Sequence, residues 1–312
     1  MRRPFAAAIV VALGTGLLAA SCGGSSDGVA AGGTTASSTA SASEPTIEQL
    51  YRAAGEDVAA VPGTSDNAVG SNRISFLIVD KQSKLIERPT ARVWVATGLK
   101  QVPFAETTAR LEPIGVPGGE SAGADGIYVA TVTAPSAGTY WYLAQPVGGR
   151  KIQALGNMVV RAHTAAPGVG DRAIVSKTPT LASTGGDLSA LTTSRTADRA
   201  LYSTSVAQAL AAHEPFVVAF ATPQYCQSRT CGPVVDVVSS VRKRPASKGV
   251  RFIHVEIYKD NDPAKGVNQW VSQWRLPTEP FTFVVDRKGV IRARLEGAFS
   301  AGELERAVAK VR

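Results

Sequence analysis

The spacing of the apolar residues changes once along this chain, at AAPGVGD, residues 165–171. Before it, from Arg73 to about Arg161, run the short segments RISFLIVD, ARVWVATG, DGIYVATVTA, GTYWYLAQ and NMVVRA, separated by Gly, Pro and Asp. Alternation with period two puts one face of each segment in a core and the other in water, which predicts an antiparallel β-sandwich over 66–165. From Ser205 on, strands alternate with helices: SVAQALAAH, PFVVAFAT, PVVDVVSSVRKR, VRFIHVEIY, PAKGVNQWVSQW, the hairpin FTFVVD and VIRARLEG, and SAGELERAVAKV with Ser300 and Glu303 as a capping box. That order predicts a mixed sheet between helices, an α/β (α+β) domain over 170–312. A chain of 312 residues that is 44% hydrophobic holds two such cores.

Arg2 and Arg3 precede an apolar run, Phe5 to Ala20, that ends in LLAASC. This N-terminus resembles a bacterial lipoprotein signal peptide, with Ala19 where leucine is more usual. The resemblance implies removal of residues 1–21 and a palmitate-type lipid on Cys22, which would anchor the protein at the extracytoplasmic face of the cell membrane. An ordinary cleaved signal or a short membrane anchor is the other reading of the run. Residues 22–45 are almost entirely Gly, Ser, Thr and Ala and cannot bury enough apolar surface to order themselves. They read as a tether, whose coil of about 22 residues reaches roughly 25 Å. Thr46 and Gln49 have capping-box spacing, so a short helix is expected through about Ala54.

Three cysteines, Cys22, Cys226 and Cys231, are too few for a disulfide scaffold. With Cys22 lipidated, Cys226 and Cys231 remain as one pair in a compartment where disulfides persist. The net charge of +8 raises a nucleic-acid partner as an option. Export argues against it, the cations are dispersed apart from Arg242-Lys243-Arg244, and no base-stacking motif accompanies them. A solvated face near anionic lipid is the reading taken.

Three features of the second half occur in order: a buried strand ending in Phe220-Ala-Thr-Pro223, Cys231-Gly-Pro233 opening a helix, and Thr278-Glu-Pro280 directly before FTFVVD. In these it resembles the thioredoxin-like fold, especially exported thiol-disulfide proteins of the TlpA and thioredoxin group. DGIYVATV followed by AGTYWY resembles the paired late strands of bacterial immunoglobulin-like modules. The expected architecture is therefore an all-β immunoglobulin-like sandwich followed by a thioredoxin-like domain. In the thioredoxin family the proline matched by Pro280 is cis and lies against the redox cysteines. The departure is Val234, which stands where the family's second cysteine would be and leaves Cys226 as the replacement.

On an ideal helix, residues five apart are separated by roughly 8.5 Å at Cα, beyond the 4.4–6.8 Å or so that a disulfide spans. The Gln227-Ser-Arg-Thr230 segment must then curl as a widened loop for Cys226 to meet Cys231. Pro233 suits a first helical turn, so the helix dipole favours the Cys231 thiolate. Arg229 acts in the same direction and Glu279 opposes it. The resemblance implies an extracytoplasmic thiol-disulfide oxidoreductase that needs no cofactor or metal and acts on exported protein thiols or disulfides. Cys231 attacks, Cys226 resolves or the pair runs in reverse, and Pro280 shapes the groove.

Other readings use the same residues. The pair as a structural staple stabilises by roughly 2 kcal/mol. A Sco-like copper chaperone would add His254 as third ligand. A peroxiredoxin would want proline where Gln224 stands. A non-catalytic binding lipoprotein would work through its sandwich, with Trp94, Tyr128, Trp141 and Tyr142 as a platform, although aromatics alternating along strands more often pack a core. His163 reads as a solvated strand-end residue. Trp270 and Trp274 read as packing on one helix face, and KDNDPAKG as a cap at Pro263 in place of a calcium loop.

Overall fold

The part of the chain before residue 165 forms eight strands, β1 (Glu56–Pro62), β2 (Asn67–Ala68), β3 (Gly70–Val79), β4 (Thr90–Ala96), β5 (Ala105–Pro113), β6 (Gly126–Ala134), β7 (Gly138–Pro146) and β8 (Ile152–Arg161); the five alternating segments fall in β3, β4, β6, β7 and β8, and β1, β2 and β5 are not among the expected strands. The structure is a computed structural model that describes residues 44–117, 123–226 and 233–312. The strands run in the order β1-β3-β6-β5-β4-β7-β8, and β8 returns to β1 in parallel register from Glu56 opposite Ile152 to Ala59 opposite Leu155. The result is a closed seven-stranded mixed barrel, with β2 added in parallel outside β8.

The immunoglobulin-like sandwich expected from the alternation is therefore corrected to a barrel. Period two fixes which face of a strand is buried; it does not say whether the sheet splits into two layers or closes on itself. The closing strand β1 lies upstream of the expected boundary at residue 66. Inside the barrel Phe76 stacks on Tyr128 at 5.6 Å and tilts against Tyr142 at 5.3 Å. Gly156 lies opposite Tyr142, where a Cβ would come within 2.4 Å of the ring, so the tyrosine fills the space that glycine leaves. Trp94 and Trp141 pack outside, with Ile47 of the short helix α1 (Ile47–Tyr51), capped by Thr46 and Gln49.

A separate four-stranded sheet follows, built from β9 (Phe216–Phe220), β10 (Arg251–Val255), β11 (Phe281–Val285) and β12 (Ile291–Glu296) in the order β10-β9-β11-β12. β10 runs parallel to β9, while β11 is antiparallel to both of its neighbours. The expected thioredoxin-like α/β domain is also corrected, because the helices are few and short: α2 (Val206–Ala211), α3 (Val234–Arg242), α4 (Gln269–Gln273) and α5 (Ala301–Val308). Apolar runs read as long helices end early. PAKGVNQWVSQW, for example, forms only the five residues of α4, after a 3-10 turn whose Asp262 side chain accepts from Ala264 N–H. Every residue of β9 and β11 is buried, with one apolar cluster on each face.

Residues 44–312 form one compact unit. Arg73 of β3 donates to both carboxylate oxygens of Glu303 at 2.8 and 3.0 Å and to the carbonyls of Glu296 and Ala298 at 3.1 and 2.9 Å. Asp66 pairs with Arg294 at 2.5 Å and also accepts from the N–H groups of Ala165 and Ala166. These ion pairs are nearly dry, so removing one partner leaves an unpaired buried charge. Arg73→Ala is expected to lower unfolding free energy by about 3 kcal/mol in urea titration, and Arg73→Met with Glu303→Leu to restore much of it.

Candidate functional site

β9 is a fully buried apolar strand, and the chain leaves it through Ala221, Thr222 and Pro223 into a turn that ends at Cys226. The turn is closed by the Cys226 N–H, which donates to the Thr222 carbonyl at 3.1 Å. Cys226 is half-buried and disulfide-bonded. The other two cysteines, Cys22 and Cys231, lie outside the described residues, as do Arg229 and the signal-like run. α3 begins at Val234 with Pro233 as its N-terminal boundary residue. Its apolar face packs in one buried cluster with residues of the sheet.

Pro280 follows a cis peptide bond from Glu279 and is buried, with its carbonyl accepting from Gly297 N–H at 2.9 Å. Glu279 joins this corner to the cysteine turn, because its carboxylate accepts from the Thr222 N–H. Thr222 thus faces Glu279 with its N–H and Cys226 with its carbonyl. Burial pushes the Glu279 carboxyl up to about 7, the nearby Glu256 carboxylate adds to the rise, and the Thr222 bond opposes it. One Glu279 oxygen, Oε2, is buried without a hydrogen-bond partner, as expected of a group held partly neutral.

Glu256 is better satisfied. Its Oε2 accepts from the Thr193 N–H at 2.8 Å and from the Thr193 hydroxyl at 3.0 Å, and the same hydroxyl oxygen accepts from Gln224 N–H at 3.1 Å. Two residues earlier, buried His254 bonds Tyr202 OH through Nδ1 at 2.8 Å and the Ala221 carbonyl through Nε2 at 3.0 Å. Since a carbonyl only accepts, Nε2 carries the proton and Nδ1 accepts from the tyrosine. Burial keeps this imidazole below its usual pKa even with Glu256 nearby. Both ring nitrogens are engaged, which counts against His254 as a copper ligand. Among the described residues no three His, Cys, Asp or Glu side chains gather as a metal site.

Tyr225 meets Tyr258 edge to face at 5.9 Å beside the cysteine. Trp274 is core, its Nε1–H donating to Ser176 Oγ at 2.9 Å, and Asp260 pairs with Lys265. Sequence reasoning named Cys226, Glu279 and Pro280, which the structure brings to one corner. It missed Glu256, Thr193 and Thr222. A signal for Glu256 was present in FIHVEIY, where His254 and Glu256 are polar at alternate positions of an otherwise apolar run.

No protein-family model matches the chain, and comparison with curated proteins finds no significant relative.

The raised Glu279 pKa has a definite sign for stability. The folded protein binds this proton more tightly than the unfolded chain, so the contribution is fully present below the ordinary glutamate pKa and is lost as pH rises through about 7. Glu279→Gln is expected to flatten the stability–pH curve between those limits, checked by urea midpoints at several pH values.

Proposed function

We propose that this protein is a membrane-anchored, extracytoplasmic thiol-disulfide exchange protein, lipidated on Cys22 and acting through Cys226 and Cys231. The observation that carries the reading is the disulfide at Cys226, half-buried in a turn whose backbone is hydrogen-bonded to the pKa-shifted Glu279 next to Pro280. A staple has no use for a carboxyl that titrates near neutrality, whereas exchange moves protons at that pH.

In the oxidising direction a partner thiolate attacks one sulfur of the protein disulfide. That S–S bond breaks, a mixed disulfide forms, and one protein cysteine leaves as thiolate. The partner's second thiolate then attacks the mixed disulfide and releases the other protein cysteine. The partner gains a disulfide and gives up two electrons, which reduce the protein pair to two thiols. The reverse sequence reduces a partner, with Cys231 attacking and Cys226 resolving. Glu279, neutral or ionised according to pH, supplies or takes a proton at the corner where thiolates come and go, and Pro280 shapes the groove without offering a competing N–H.

A glutathione redox titration read by alkylation and mass spectrometry tests this. A reversible pair with a potential above about −250 mV is expected; a bridge below about −300 mV is structural and overturns the proposal. Cys226→Ser should trap mixed disulfides with exported proteins, while capture by Cys231→Ser alone would reverse the two roles. Cys22→Ala is expected to move the protein from the membrane to the soluble fraction on cell fractionation.

A further inference from the structure

We propose that the cleft between the outer face of the barrel and the β12–α5 side of the sheet binds a small polyanion, a molecule carrying two or more phosphate or carboxylate groups, and that it does so independently of the exchange chemistry proposed for Cys226. The cleft encloses about 1140 Å³, room for a ligand at or above the usual small-molecule range of roughly 300–1,000 Å³. Its lining is rich in charged and hydroxyl side chains, whereas a site for an apolar ligand is mostly hydrophobic.

Strand alternation builds one wall. Arg73 stands opposite Thr131 and Arg110 opposite Val129, so both arginines lie on the same outer face of β3, β6 and β5. The other wall is made by β12, where Arg292 and Arg294 alternate with buried Ile291, Ala293 and Leu295, and by α5, where Glu303 and Arg306 lie about a turn apart.

The carboxylates of these walls are already engaged. Glu303 pairs with Arg73, Asp66 with Arg294 and Glu112 with Arg306, while Glu296 accepts from the hydroxyls of Ser65 and Thr278 and Asp171 from Gly168 N–H. Arg292 pairs with Asp286. Left over are Arg110 on β5, Arg275 in the turn after α4 and Lys310 just past α5. All three are exposed, and their side chains have no ion-pair or hydrogen-bond partner among the described residues. Three cations from distant parts of the chain, gathered in one concavity, raise the local concentration of anions, and the arginine fork matches phosphate and carboxylate alike.

Solvated cations elsewhere on the surface also attract anions; the donors buried at the wall are what mark this cleft as a site. Asn67, which lines it, is only 3% exposed, and its Nδ2 has no hydrogen-bond partner. Nε of Arg294 is likewise buried and unpartnered. The two residues are neighbours, since Arg294 donates to the carbonyl of Asp66, directly before Asn67, at 3.0 Å. A buried N–H left unpaired is destabilising, and the oxygens of an anionic group are the strongest acceptors for it.

Isothermal titration calorimetry of the full-length protein with tripolyphosphate and with citrate tests the site. One equivalent of at least one of them is expected to bind, more weakly as salt is raised, and the preference between them assigns the ligand's groups as phosphate or carboxylate. The triple variant Arg110→Gln, Arg275→Gln, Lys310→Gln should weaken that binding at least about tenfold. The triple variant Lys100→Gln, Lys243→Gln, Lys248→Gln removes the same charge from exposed positions outside the cleft and should change it less than about twofold. No binding of either anion, equal loss in the two triple variants, or binding of an oligoglutamate peptide without either small anion overturns the site, and none of these outcomes touches the exchange reading.

Discussion

The guanidinium of Arg73 joins barrel to sheet, and the geometry of the cysteine corner depends on that junction. Its planar fork meets two carboxylate oxygens of Glu303 and two backbone carbonyls, those of Glu296 and Ala298. A lysine ammonium has no such fork and could not reproduce the set. Glu303 is also the capping-box residue of α5, so one carboxylate both starts the helix and fastens it to β3. Glu296 in turn takes the N–H and hydroxyl of Ser65, the Asp66 N–H and the Thr278 hydroxyl. Thr278 lies two residues before Pro280, so the cysteine corner is tied to this junction through the chain.

Two carboxylates share the cysteine corner, and their surroundings divide the work between them. Glu256 is met by two donors from Thr193. Glu279 has one backbone donor and a buried oxygen without any. Burial makes charge on Glu279 costly, and the neighbouring Glu256 carboxylate adds to that cost. Glu279 is therefore the group poised to change charge near neutrality. On the proposed reading, a neutral carboxyl tolerates a departing thiolate beside it better than an ionised one does, so the corner would favour thiolate release below about pH 7 and resist it above.

How much of this was legible in the sequence depends on the range of the interaction. Local rules performed well at Thr46 and Ser300, which cap their helices as their spacing predicts. The buried runs FVVAF and FTFVV are central strands because nothing in them needs water. Closure of the barrel was hidden, because it depends on Glu56–Ala59 finding Ile152–Leu155 about a hundred residues away, and neither segment is unusual alone. The reach of Arg73 to Glu303 was hidden for the same reason. Glu279 was visible beside Pro280, yet its direction followed only from Thr222, a residue with no motif of its own. Gly115 looks like any loop glycine until Pro233 is placed 3.3 Å from where its Cβ would be.

The proposed anchor places a demand on the rest of the protein. On the proposed reading, a lipid on Cys22 and a tether of roughly 25 Å reach confine the protein to a thin layer above the membrane. Confinement raises the effective concentration of every thiol and disulfide in that layer, wanted or not. The disulfide chemistry itself offers little selectivity, since any accessible thiolate can attack. Selection must then come from access, and access is a matter of rigid shape around the sulfurs. The barrel is joined to the sheet by the nearly dry ion pairs Arg73–Glu303 and Asp66–Arg294, and supplies that rigidity.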